Sequence, residues 1–374
     1  MDKKILVLII LNIIMVSFIV FSNFSLNFLS SPNPSELEEC KILDYKGNDA
    51  VNILFFSDKT DAQKYSEFLL TIDPFNTHQK NFNFYYIDSY IPECEIYQEK
   101  ALLCYDKEMI KKAASCPNDF IAVIQESNSN IRSSAYMNVM SINSKHTLTV
   151  LAHEFGHVFV NLAEEYVPAP LPKNAKNCVD NCNKFGIKDG CYQGCSEANY
   201  FRSIENGIMR TLTSKKYGIF NVKIFLDKIE KVIQERTSGI TGSAVTETDC
   251  SQQMYYLIHA RYENGKIIIK DKKIEQGCMS SLGSGDFDYT IITEDNQKIN
   301  EKFNPSYIFT DVQESGKEYI TGEVFDATGQ DFYLKIPIPQ KPKLLEIKKD
   351  NLILSQINLK EIPIEVKNKP CKKI

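Results

Sequence analysis

The chain has 374 residues, 43% of them hydrophobic, and a formal net charge of −5 at pH 7. That length allows two exported cores, and the acidic balance excludes the basic composition with which nucleic-acid-binding proteins attract phosphate. There is no internal repeat and no long low-complexity segment.

At the start, Lys3 and Lys4 precede an almost unbroken apolar run from Ile5 to Phe21, long enough to cross a bilayer. The positive-inside tendency leaves the first residues in the cytoplasm and everything after about residue 30 outside. No small-x-small cleavage site follows the run, so residues 1–30 read as an uncleaved transmembrane helix anchoring the chain in the cell membrane. The alternative is a cleaved signal and a secreted protein; both readings export the rest. Residues 31–48 read as a stalk. Export also directs the eleven cysteines towards disulfides. Their odd number leaves at least one free or paired between chains.

Residues 49–239 form the first predicted domain. VNILFFSD (51–58) is a buried strand, 61–70 a helix, 82–87 a second strand, 101–114 a helix and 120–127 a third strand. Alternating strands and helices predict an α/β (α+β) fold with helices packed on a sheet. YMNVMSIN (136–143) reads as one more strand. As a sheet edge, it would let an extended peptide pair with it.

TLTVLAHEFGHVFVNLAEEY (147–166) then places two of the five histidines one helical turn apart with a glutamate between them. On a helix, His153 and His157 project from one face and can share a metal ion, while Glu154 stands beside that face as a candidate general base. The metzincin pattern HExxHxxGxxH/D is not met, because Val160 and Ala163 stand at its glycine and third ligand. Glu164 and Glu165 follow. In a straight helix Glu164 would lie about 10 Å beyond His157, out of a carboxylate's reach. The helix must therefore break between Val158 and Ala163, and Asn161 is the residue there that best tolerates a left-handed conformation. Glu164 is the expected third ligand, with Glu165 as the alternative. Zinc held in this way keeps a position open for water, and a further donor would stabilise the oxyanion. Tyr166, Arg210 and Tyr217 are candidates that the sequence does not rank.

The turn-rich segment from Pro168 to Asn199 carries Cys178, Cys182, Cys191 and Cys195. Disulfides are expected there before a second zinc, because structural zinc sites favour the shorter CxxC spacing. Residues 216–235 read as an amphipathic helix. Beyond a boundary near residue 240, short strands recur about every ten residues with turns between them, and residues 240–374 are predicted as an all-β sandwich. His259, within one of these strands, reads as a surface or core residue.

HEFGHVFVNLAEEY resembles the HExGH, leucine, then acidic-Glu-Tyr pattern of the immunoglobulin A peptidase family of zinc metallopeptidases, with Glu164 where that family usually has aspartate. VNILFFSD and FLLTIDPFNTHQKNFNFYYIDS are similar to its opening strand and the segment that follows. NGIMRTL is similar to its Met-Arg segment, which implies that Met209 forms the methionine turn beneath the zinc. The likeness spans about residues 50–235. Together these readings predict a membrane-anchored extracytoplasmic zinc metalloendopeptidase, binding one Zn2+ ion and a protein or peptide substrate. The alternative is a non-catalytic cell-surface protein with a degenerate peptidase-like domain and a β-sandwich that binds a partner.

Overall fold

Strands that read as unbroken apolar runs belong in a sheet covered on both faces, because successive side chains point to opposite sides. The computed structural model describes residues 37–186, 190–237, 249–279, 283–312, 319–320 and 322–362. In chain order the first elements are β1 (Lys41–Asp44), β2 (Val51–Phe56), α1 (Lys59–Leu69), β3 (Phe82–Ile87), β4 (Glu95–Tyr97), β5 (Ala101–Leu103), α2 (Lys107–Ala113), β6 (Phe120–Gln125), β7 (Ser133–Tyr136) and β8 (Val139–Asn143). They are followed by α3 (Thr149–Val160), β9 (Tyr192–Cys195), β10 (Glu197–Arg202) and α4 (Ile219–Thr237). The C-terminal part adds β11 (Met254–Glu263), β12 (Lys266–Gln276), β13 (Phe287–Thr293), β14 (Lys298–Phe303), β15 (Tyr307–Asp311), β16 (Glu323–Asp326), β17 (Asp331–Pro337), β18 (Pro342–Lys349) and β19 (Leu352–Asn358).

The fold is mixed α/β around an eight-stranded sheet of order β1-β3-β2-β6-β8-β7-β15-β16. Strands β3, β2, β6 and β8 run parallel, and the outer pairings are antiparallel. Val51, Ile53 and Phe55 join the core formed with α1, α3 and α4, whereas Leu54 and Phe56 join the core formed with α2 and the C-terminal strands. The one-residue alternation of β2 thus assigns one face to the helix layer and the other to the all-β part.

The C-terminal strands form two antiparallel sheets, β12-β11-β17 and β14-β13-β18-β19. They share a core in which the Tyr262 and Phe287 rings lie 4.9 Å apart and those of Phe303 and Phe332 5.7 Å. This part is not self-contained, because β15 and β16 leave it to extend the large sheet.

Several local expectations change. The stretch expected as a helix over 101–114 begins as β5, paired with β4 beside the Cys94–Cys104 disulfide, and turns helical only after Asp106 caps α2. The expected strand 136–143 is a hairpin, β7 and β8, which turns at Met137 with φ 57°. It is not an exposed edge either: β8 lies between β6 and β7, and β15 covers β7. The expected anchor, the start of the stalk and the boundary near residue 240 fall outside the described residues. Among the described residues no helix is long and apolar enough to cross a membrane.

Candidate metal centre

Helix α3 is buried on all sides: every residue but Val160 is buried, including His153, Glu154 and His157 on its one polar face. A helix of that kind belongs inside a core. Phe155 and Phe159, four residues apart, stack at 5.0 Å and lock against Phe120, Phe82 and Phe225. Burial of each such ring contributes about 1.5–3 kcal/mol, so this side of the helix fixes its rotation. Gly156 costs the helix about 1 kcal/mol relative to alanine. Its reason is Met209: a Cβ at Gly156 would sit 2.7 Å from the Met209 sulfur. Met209, fully buried, therefore packs directly against α3 at Gly156.

The helix ends where expected. Asn161 adopts φ 55°, ψ 44°, and the Leu162 amide donates to the Gly156 carbonyl at 3.1 Å, reversing the chain. The reversal returns Glu164 to the histidines. Its carboxylate oxygens lie 3.0 Å from His157 Nε2 and 3.5 Å from His153 Nε2. Glu165 points elsewhere: its Oε1 accepts from Asn221 Nδ2 at 2.8 Å and from Asn177 Nδ2 at 3.2 Å. Glu165 is thus a buttress behind the ligand turn.

A fourth group completes the cluster. Asp311, at the end of β15, places Oδ2 3.0 Å from His153 Nε2 and 3.9 Å from His157 Nε2. His153, His157, Glu164 and Asp311 are all buried, and one ligand atom from each lies within 4.8 Å of the others. No local pattern marks Asp311, which stands 145 residues beyond Tyr166, its hydrogen-bond partner. Only the strand register, Asp311 opposite Ser133 of β7, brings it in.

The donor set fits a cation. His153 Nδ1 lies 2.9 Å from the Ile208 carbonyl and His157 Nδ1 2.7 Å from the Leu162 carbonyl, so each Nδ1–H donates. The neutral tautomer that this leaves has its lone pair on Nε2. The two Nε2 atoms face each other at 3.1 Å. Both Glu164 oxygens and Asp311 Oδ2 are buried with no hydrogen bond among the described residues. Converging buried acceptors repel unless a positive charge stands among them. Without one, protons must take that role. Burial depresses the His153 imidazole, but the Asp311 and Glu164 carboxylates outweigh it and raise His153 well above its ordinary value. Burial raises the Asp311 carboxyl, and the Glu164 charge adds to it. Glu164 itself, against burial, is held down at about 2 by His157 and His153. A metal ion would displace the proton.

Glu154 is fully buried and neither carboxylate oxygen has a hydrogen bond among the described residues. Burial, then the Asp311 charge, pushes it well above the usual carboxylate range. Of the expected oxyanion donors, Tyr166 lies in the site, donating to Asp311 Oδ1 at 3.1 Å. Tyr217 is buried and its hydroxyl is committed to the Ala152 carbonyl of α3. Arg210 lies 4.0 Å from the centroid of the Tyr319 ring, beside the strand that carries Asp311.

The cysteine-rich segment is stapled by Cys178–Cys195 and Cys182–Cys191, so its four thiols hold no second metal. The other disulfides are Cys40–Cys116, Cys94–Cys104 and Cys250–Cys278, while Cys371 lies outside the described residues. His259 pairs with Asp331 at 3.0 Å, away from the cluster. Compared with known proteins, the chain matches no family model and no curated protein.

Proposed function

We propose that the protein is a zinc metalloendopeptidase of the kind the immunoglobulin A peptidases represent, anchored in the membrane with its catalytic part outside. The observation that carries this reading is the convergence of His153, His157 and Glu164 beside a buried carboxylate, Glu154, that has no hydrogen-bond partner among the described residues. Two imidazoles and a carboxylate are the donor set of catalytic zinc sites. When bound, the ion supplies Lewis acidity, acidifying water and polarising the scissile carbonyl. His153 and His157 are oriented by the Ile208 and Leu162 carbonyls, which keep each Nε2 free to bind. Glu154 takes a proton from the attacking water and returns it to the leaving amine. Burial, then the Asp311 charge, raises its carboxyl above the usual carboxylate range, which makes it a stronger proton acceptor. Tyr166 is the hydroxyl best placed to donate to an oxyanion once it is released from Asp311.

A second reading has one observation in its favour: four protein groups around one point form a closed set, as in structural zinc sites. On that reading the protein is a non-catalytic surface protein and the ion holds β15 to the helix layer. Casein cleavage by the zinc-loaded full chain and by its Glu154→Gln variant separates the two. The peptidase reading expects cleavage that the variant loses; equal, measurable rates in both would reject it.

A further inference from the structure

We propose that the β15–β16 hairpin is a built-in latch that keeps the metal centre latent, with Asp311 filling the place that substrate and water need. The proposal rests on the peptidase reading and concerns the regulation of the same site. A catalytic metal site has three protein ligands and one open position, and Asp311 supplies a fourth protein group at the only such cluster among the described residues.

Three further contacts come from the same hairpin. Phe309 stacks on the His157 ring with centroids 4.1 Å apart, covering the face of a ligand. Phe309, Thr310 and Asp311 pair with Ala135, Ser134 and Ser133, so the hairpin occupies the sheet edge next to the site. That edge is where an extended peptide would add a strand. Gly322 closes over the cluster so tightly that a Cβ there would come within 1.8 Å of the Tyr166 hydroxyl and 2.2 Å of Asp311 Oδ1. Beside His157 the remaining cavity is about 10 Å³, room for one water and not for a peptide.

A purely structural ion would leave Glu154 unexplained, since among the described residues it has no hydrogen-bond partner, and a buried carboxylate in that state is costly and has no use beside a closed site. A latch explains both the orphaned base and the extra ligand. It also has a weak end. At the start of β16, Glu323 pairs with Lys100 at 2.7 Å and with Arg132 at 3.1 Å, and its side chain is 41% exposed. Exposed pairs of this kind hold weakly, so release would begin there, at a distance from the metal ligands.

The test uses the full chain loaded with Co2+ for spectroscopy and Zn2+ for activity, as wild type, Asp311→Ala, Asp311→Asn and Glu323→Lys. Glu323→Lys sets like charges against Lys100 and Arg132 without touching the cluster. Acetohydroxamate is titrated into the cobalt protein and followed by visible absorption. The latch expects Asp311→Ala and Asp311→Asn to respond at concentrations at least tenfold below those that change wild type, with Glu323→Lys between them. It also expects casein cleavage to rise at least tenfold in Asp311→Ala and to vanish when Glu154→Gln is added. Equal response of wild type and Asp311 variants to the probe would overturn the latch and leave the peptidase reading intact. Loss of the metal from both Asp311 variants would overturn it too, making Asp311 a structural ligand. Variants that open to acetohydroxamate yet cleave nothing would uphold the closure and reject the peptidase reading.

Discussion

Replacing Glu164 by alanine tests the turn that the whole site depends on. Glu164 is fully buried, its oxygens reach both Nε2 atoms at 3.0 and 3.5 Å, and its carboxylate makes no hydrogen bond elsewhere among the described residues. Removing one partner of a buried charged set costs about 3–5 kcal/mol. At about 1.4 kcal/mol per decade, that weakens zinc binding roughly 10²- to 10⁴-fold. Glu165→Ala removes a carboxylate whose hydrogen bonds, among the described residues, go to Asn177 and Asn221, and loss of such an outer support costs about 10–100-fold. Competition for Zn2+ against a chromophoric chelator at pH 7.5 measures both. Glu164→Ala should bind more weakly than Glu165→Ala, by about thirtyfold at the middle of the two ranges. The opposite ranking would move the ligand by one residue and refute the geometry of the Asn161 turn.

Other outcomes follow from the same packing. Asn161→Gly should leave stability to urea nearly unchanged, whereas Asn161→Val, forced to φ 55°, should lose about 1–2 kcal/mol and retain zinc less well. Gly156→Ala should cost about 1–3 kcal/mol by driving a methyl group into the Met209 sulfur, and adding Met209→Ala should recover part of that loss in the same urea assay. Burial holds the Lys335 amine down at about 7, its one hydrogen bond going to Asn118 Oδ1 at 2.6 Å. From about pH 7 up to about 10.5 the unfolded chain binds a proton there that the folded chain does not, so stability should rise with pH by at most about 1.4 kcal/mol per unit. Lys335→Met should flatten that slope and be the more stable protein at pH 6.

The elements legible in the sequence are those whose partners lie close by or whose pattern leaves one solution. Val51–Phe56, Phe82–Ile87 and Phe120–Gln125 are short apolar runs that fit only buried strands, and the reach of one carboxylate required a break that Asn161 supplies. The β7–β8 hairpin was hidden because both strands are buried throughout and no glycine marks its turn at Met137. Strands β14 and β18 were obscured by lysines and glutamates on their exposed sides, and β19 is largely exposed. Ala101–Leu103 is helix-compatible locally, and pairing with β4 overrides that preference. Asp311 was out of reach for a different reason. A lone aspartate ending a strand carries no periodic signal, and its role comes from β15 crossing into a sheet built from residues far earlier in the chain.

The most direct test of the metal centre is anomalous diffraction at the zinc edge from crystals of the full chain. One peak is expected, within bonding distance of His153 Nε2, His157 Nε2 and a Glu164 oxygen. No peak there from zinc-loaded protein, or a peak held by Glu165 in place of Glu164, would contradict the account.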